Sequence, residues 1–270
     1  MTSLDADAIR AGLGELAAGR LAGFEAFAEI DSTNSYLMQC DAPAVGGIRI
    51  ALTDNQTAGR GRHGRTWQSP AGSGLCLSIA YTFGRQPENL AALTLAMGLG
   101  VAESLEGVGV VGVQLKWPND LIADDGKLGG ILTEAQAPNG GAITVVTGVG
   151  INLDLREALA TNLERKVADL ERYASETPER NELAARLIDG ICGTFVTYEM
   201  SGFAAYAERW PHRDWLLGRD LTISLAQEQI RGVGAGVAND GALLVDTGSG
   251  SVSRVTSGTV VSAAEPGASS

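Results

Sequence analysis

Residues 56–67 read QTAGRGRHGRTW, with Gly59, Gly61 and Gly64 at the spacing G-x-G-x-x-G and Arg60, Arg62, His63 and Arg65 between and beside them. Two chemistries compete for such a segment. A dinucleotide fingerprint needs a strand before it and a helix starting directly after it, so that pyrophosphate rests on the helix N-terminus. Here a strand-like run, GIRIALTD at 47–54, leads in, but QSPAG with Pro70 follows, and then a second strand-like run, GLCLSIAYTF at 74–83. No helix begins where the fingerprint requires one, so the dinucleotide reading fails. The alternative is a cationic clamp: glycines give unusual backbone angles and close approach, while arginines give planar donors suited to phosphate or carboxylate. The sequence predicts a loop that closes over an anionic substrate and excludes water.

Two further stretches carry chemistry. Lys127, in GKLGGIL, follows a turn and precedes Gly129 and Gly130, which leave room for a ligand against a strand; its ammonium can act as a point charge on a reacting oxygen, although a solvated turn lysine reads the same. In KWPND, Lys116 and Asp120 flank Trp117, Pro118 and Asn119. Asn119 and Asp120 can bond to ligand, or simply make an Asn-Asp turn after a strand.

The elements that must position these residues follow from patterning. Residues 4–21 place Ile9, Leu13, Leu16 and Leu21 on one face of a short helix, and Ser32, Thr33 and Asn34 form a cap before a second apolar segment. Leu90, Leu93, Met97, Val101 and Leu105 predict a core helix, as do Leu183, Leu187, Ile191 and Phe195 after Pro178. Between them lie VGVQLKW, a hairpin turned at Asp124-Asp125-Gly126, and GAITVVTGVGINL after a turn at Asn139-Gly140. The expected class is α+β, with a mixed, largely antiparallel sheet flanked by helices. From Gly218 onward short strands and glycine turns predict a small β-barrel.

Composition bounds the partners. With 270 residues and 44% hydrophobic content the chain can bury a large core. Its net charge of −12 opposes nucleic-acid binding, so any anion site is local. Three scattered cysteines, Cys40, Cys76 and Cys192, suit free thiols in a reducing compartment. Two histidines and no Cys/His cluster argue against zinc and against a Ser-His-Asp triad. No leader and no run near ~20 apolar residues is present, which leads to the expectation of a cytoplasmic protein.

Taken in order, STN, QTAGRGRHGRTW, KWPNDL, KLGGIL and GVGINL resemble the biotin protein ligases over roughly residues 30–262. The resemblance implies a class II synthetase-like catalytic domain over 1–213, an SH3-like barrel over 214–263 and a flexible tail over 264–270. It implies a two-step reaction, in which biotin and Mg-ATP give biotinyl-adenylate and a lysine of a biotin carboxyl carrier domain, as in acetyl-CoA carboxylase, then takes the biotin. It assigns Ser32, Thr33, Asn34 and Gln56 to the ureido head of biotin. Gly59, Arg60, Gly61 and Arg62 would close over the ligand, and Arg65 would reach the ATP phosphates. Lys127 would contact the biotin carboxylate and the α-phosphate, with Gly129 beside it. Arg62, Lys127 and Asp120 are the expected catalytic residues, Asp120 orienting the incoming lysine or helping with magnesium. Lys116, Asn119 and Asn152 would line the nucleotide, Asn152 at the adenine edge. Trp67 would pack by the nucleotide or in the core.

Two departures stand out. Regulatory relatives carry a winged-helix DNA-binding domain ahead of STN, whereas 31 residues precede Ser32 here, so a short form without DNA binding is expected. Gly130 stands where alanine is expected, a small-for-small change. A lipoate or octanoyl ligase of the same fold and a non-catalytic biotin sensor are the competing readings, and both monomers and homodimers fit.

Overall fold

The computed structural model describes residues 4–136, 141–155, 166–225, 228–248 and 250–265. Its larger sheet is made of β1 (Leu21–Phe27), β2 (Ile48–Thr53), β3 (Gly74–Phe83), β4 (Gln114–Lys116), β5 (Asp120–Ala123), β6 (Gly126–Ala135) and β7 (Ile143–Asn152), in the order β1-β2-β3-β7-β6-β5-β4. Only β1 and β2 run parallel; every other neighbouring pair is antiparallel. The β5–β6 hairpin turns on Asp124 and Asp125 at φ 47° and 58°, the left-handed conformation that two-residue hairpins favour. The turn expected at Asn139-Gly140 lies outside the described residues.

Alternation along the strands builds two different faces. Leu75, Leu77, Ile79, Tyr81 and Phe83 of β3 join the main apolar core. Helices α4 (Leu90–Glu106) and α6 (Arg180–Ser201) pack on each other and on this side of the sheet. Every α6 residue expected in the core, Leu183, Leu187, Ile191 and Phe195, is fully buried. On the other face α3 (Thr33–Gln39) lies over β2, β3 and β7, above a small cluster of Leu37, Ala51, Ala80 and Val146. Ser32 caps α3, its hydroxyl accepting from Ser35 N at 3.3 Å, worth about 1 kcal/mol.

The single N-terminal helix expected over 4–21 is instead α1 (Ala6–Ala11) and α2 (Glu15–Ala18), followed by β1 from Leu21. Gly12 caps the end of α1 and Gly14 caps the start of α2, and two glycines so close are poor helix interior. Only Ile9 of the predicted stripe is fully buried, and Leu16 is 41% exposed. Helices α5 (Leu170–Tyr173) and α7 (Ala204–Ala207) are single turns.

The C-terminal strands β8 (Asp220–Ser224), β9 (Gln229–Val237), β10 (Leu243–Asp246), β11 (Val252–Val255) and β12 (Thr259–Ala264) form an antiparallel sheet in the order β11-β10-β9-β8-β12. Among the described residues no ladder joins β11 to β12, so this sheet is open where a closed barrel was expected. The reason is topological: after β11 the chain crosses to pair with β8 rather than folding back on β11. Strand β12 runs to Ala264, the first residue of the expected tail, and Glu265 pairs with Arg219 at 2.7 Å. Residues 266–270 lie outside the described residues.

Candidate functional site

The α3 face of the large sheet is paved with small residues at every second position. Cys76 of β3 pairs with Gly150 of β7, which pairs with Gly130 of β6, which pairs with Asp120 of β5. One row along, Ser78 faces Gly148, which faces Leu132. Glycine at positions 148 and 150 lets Asn34 and Trp67 lie directly against the sheet, where an added Cβ would fall 2.2 Å and 2.5 Å from them, and a cavity of about 630 Å³ remains alongside.

At one end Ser32, Thr33, Asn34 and Gln56 line the cavity together. Thr33 N donates to Gln56 Oε1 at 2.9 Å, and Gln56 Nε2 donates to Cys76 Sγ at 3.3 Å. The Ser78 hydroxyl donates to Asn34 Oδ1 at 2.6 Å. These bonds fix both amides before any ligand group meets them. At the other end a β-bulge intervenes: Leu121 pairs with Gly129 but Ile122 pairs with Lys127, leaving Leu128 as the extra residue. The bulge reverses the alternation, sends Leu128 into the core and brings Lys127 to the cavity beside Gly130. Lys127 Nζ meets Asp120 Oδ1 at 2.6 Å and lies 5.6 Å from the Trp67 ring centre.

The arginine segment is a narrow hairpin drawn across the cavity. Gln56 bridges Ser69 and Arg60 bridges Thr66; Trp67 N donates to Gly59 O at 2.9 Å and Gly61 N to Arg65 O at 2.7 Å. The tip is a single 3-10 turn, Arg62–Gly64, with His63 at φ 55° and Gly64 at φ 71°. Gly61, Arg60, Arg62, His63 and Arg65 all line the cavity. Burial lowers the pKa of Arg62, Asp120 opposing this by attraction and Arg65 adding to it by repulsion. Arg65 Nη2 lies 3.4 Å from Thr259 Oγ1, and Gly258, Thr259 and Val260 complete the wall at that point.

Several residues expected to contact ligand also hold the fold of the site together. Gly59 is not part of the lining: an added Cβ would sit 2.4 Å from Trp67 O, so its role is to let the two legs of the hairpin meet. Gly129 is not part of the lining either; a Cβ there would meet Gly150 O at 2.6 Å and the side chains of Ile151 and Leu121. Asn119 lines the cavity but its amide donates to Ile131 O at 2.8 Å. Asn152 lines the cavity, and its amide nitrogen donates to Lys127 O at 3.1 Å and Ala168 O at 3.0 Å. Lys116 lines the cavity with its Nζ 5.0 Å from the Trp215 ring. Trp67 lies flat on the glycine floor, where a Cβ on Gly150 would come within 2.5 Å of its Cε2.

Sequence reasoning passed over Cys76, Ser78 and Glu134. The first two share the period of two with the rest of β3, and Glu134 lies two and four residues beyond Leu132 and Gly130 on the same face of β6. Among the described residues no three His, Cys, Asp or Glu side chains cluster as a metal site, and Asp120 is the sole carboxylate in the lining. No helix among them is long and apolar enough to cross a membrane.

Comparison with known proteins agrees with this geometry. Residues 26–152 match the biotin/lipoate A/B protein ligase family. The chain is 35% identical to the bifunctional ligase/repressor BirA of Escherichia coli, over 87% of this chain and 71% of that protein. It is 31% identical to the biotin–[acetyl-CoA-carboxylase] ligase of Mycobacterium tuberculosis, over 87% of this chain and 86% of that protein. The biotin protein ligase of Aquifex aeolicus in complex with biotin and ATP superposes with a TM-score of 0.72 at 25% identity, covering 88% of this chain and 97% of the other. A glycine-floored cavity, a lysine re-aimed by a bulge and an arginine hairpin across both thus occur in a chain that belongs to the biotin protein ligases.

Proposed function

We propose that this chain joins biotin to a lysine of a carrier protein in two steps within the one cavity. The observation that carries this reading is the polarity of the cavity: neutral hydrogen-bonding groups at one end, Lys127 and Asp120 at the other, and arginines overhead. An extended ligand with a ureido head and a carboxylate tail fits that order. The head lies against Ser32, Thr33, Asn34 and Gln56, and the chain runs from there toward Gly130 and Lys127.

In the first step a biotin carboxylate oxygen attacks the α-phosphorus of ATP, the phosphorus–oxygen bond to pyrophosphate breaks, and biotinyl-adenylate forms. Negative charge builds on the phosphoryl oxygens, and a fixed ammonium from Lys127 with the Arg62 guanidinium stabilises it without reorganisation. Arg65 reaches the departing phosphates. Asn152 offers its amide oxygen to the adenine amino group, with Trp67, Lys116 and Asn119 as the surrounding wall. In the second step the acceptor amine attacks the acyl carbon, AMP leaves and an amide forms. Asp120 orients that amine, and closure of the hairpin keeps water from the mixed anhydride.

Magnesium enters as part of the substrate Mg-ATP. Asp120, the sole carboxylate in the lining, is the residue that would help hold the magnesium, which would neutralise charge on the triphosphate. The acceptor is the biotin carboxyl carrier domain of acetyl-CoA carboxylase or a related carboxylase. We read residues 1–213 as the catalytic unit and the C-terminal strands as an SH3-like module that walls the nucleotide end. With a net charge of −12 we assign no DNA binding to this chain. The test is incubation with biotin, Mg-ATP and an apo carrier domain. The expected result is a mass increase of one biotinyl group on one carrier lysine; an unmodified carrier contradicts the proposal.

A further inference from the structure

The arginine hairpin is tied to the sheet by a residue outside every motif named above. Glu134, near the end of β6, receives both guanidinium nitrogens of Arg60: Oε1 from Nη2 at 2.6 Å and Oε2 from Nη1 at 3.1 Å. The same Oε2 accepts from Asn34 Nδ2 at 3.0 Å. Asn34 Oδ1 is bonded to Ser78, the Ser78 hydroxyl is 2.7 Å from that of Thr33, and Thr33 N is bonded to Gln56. A continuous run of hydrogen bonds therefore connects the head end of the cavity to the hairpin, and Glu134 is its anionic link. Glu134 itself is not among the lining residues. The two-pronged contact holds the Arg60 guanidinium in one geometry against Glu134.

We infer that Glu134 is a positioning residue for biotinylation: it clips the arginine hairpin over biotin and its adenylate through Arg60 and holds the Asn34 amide in one orientation. This rests on the ligase reading. The clip acts on retention of the ligand rather than on the chemical step. Biotinyl-adenylate shielded by a closed hairpin survives until the acceptor arrives, and one under a loosened hairpin escapes. With side chains 45% and 22% exposed, the Arg60–Glu134 pair is open to screening by salt.

The experiment uses the full chain and its isosteric variant Glu134→Gln, loaded with biotin and Mg-ATP without acceptor. Escape of biotinyl-adenylate is followed after removal of free ligand. We expect escape to quicken about fivefold, the scale of a partly exposed ion pair, with the biotin KM raised, the rate constant of adenylate formation within about twofold of the parent and the melting temperature unchanged. Added salt should quicken escape from the parent but not from the variant. In a double-mutant cycle with Arg60→Gln, the second substitution should add nothing to the first. Fully additive effects, or a Glu134→Gln escape rate equal to the parent's, would overturn the clip. Should Glu134→Gln fail to fold, the salt series on the parent carries the test: escape that does not quicken with salt would overturn the clip. A parent chain that makes no biotinyl-adenylate would overturn the ligase reading itself, an outcome separate from either.

Discussion

Gly150 and Gly130 occupy neighbouring positions on the cavity floor yet tolerate change differently. A Cβ on Gly150 would fall 2.5 Å and 2.6 Å from Trp67 Cε2 and Cζ2, atoms of a rigid ring, so Gly150→Ala should displace Trp67 and raise the KM for ligand roughly tenfold or more. A Cβ on Gly130 meets Lys127 Nζ at 3.3 Å, the far end of a flexible chain, so Gly130→Ala should change steady-state constants by less than about threefold. Equal effects of the two would show that Trp67 does not rest on Gly150. Lys127→Ala should slow adenylate formation by about a hundredfold, the usual scale for removing a preorganised charge, with little change in melting temperature; unchanged single-turnover kinetics would remove Lys127 from the mechanism. Lys127 was visible in the sequence because its type and glycine neighbours point to chemistry. Glu134 was not, because a glutamate in a strand has no signature until the fold puts an arginine against it.

At the scale of elements, the β5–β6 bulge and the arginine hairpin decide where charges sit. The hairpin's feet are held by Arg180, the first residue of α6, which is 4% exposed and donates to Asp54 Oδ2 at 2.7 Å and to Gly72 O at 2.9 Å. Arg180→Met should lower stability by about 2 kcal/mol, less than the loss of a wholly buried pair because Asp54 keeps some exposure; an unshifted denaturation midpoint would contradict this role. Strands and long helices were legible because apolar periods of two and near four persist over ten or more residues, as in β3 and α6. The bulge was not, since a single extra residue leaves no trace in composition. The split of the first helix was hidden for a related reason: an apolar stripe continued across Gly12 and Gly14, and backbone preference overrode it.

Across the whole molecule, the two sheets share walls and titratable groups. Trp117 Nε1 donates to Gly241 O at 2.9 Å, and Trp215 lies between Lys116 and Arg219 while donating to Asp125 at 2.9 Å. Four of the five C-terminal strands were legible one by one, but β12 and the open order were not, because short alternating strands do not encode which edge the last one joins. Burial pushes the thiols of Cys76 and Cys192 from 9.0 up to about 11, so the fold favours their neutral forms. Their contribution to stability is complete below pH 9 and is lost as the pH rises toward about 11. Denaturant midpoints should fall across that window, and a flat profile would contradict the burial. The central claim, an acyl phosphate formed from a biotin carboxylate beneath an arginine hairpin, is tested most directly by exchange of labelled pyrophosphate into ATP. The account predicts exchange that depends on biotin and is absent with lipoate; exchange with lipoate and none with biotin would contradict it.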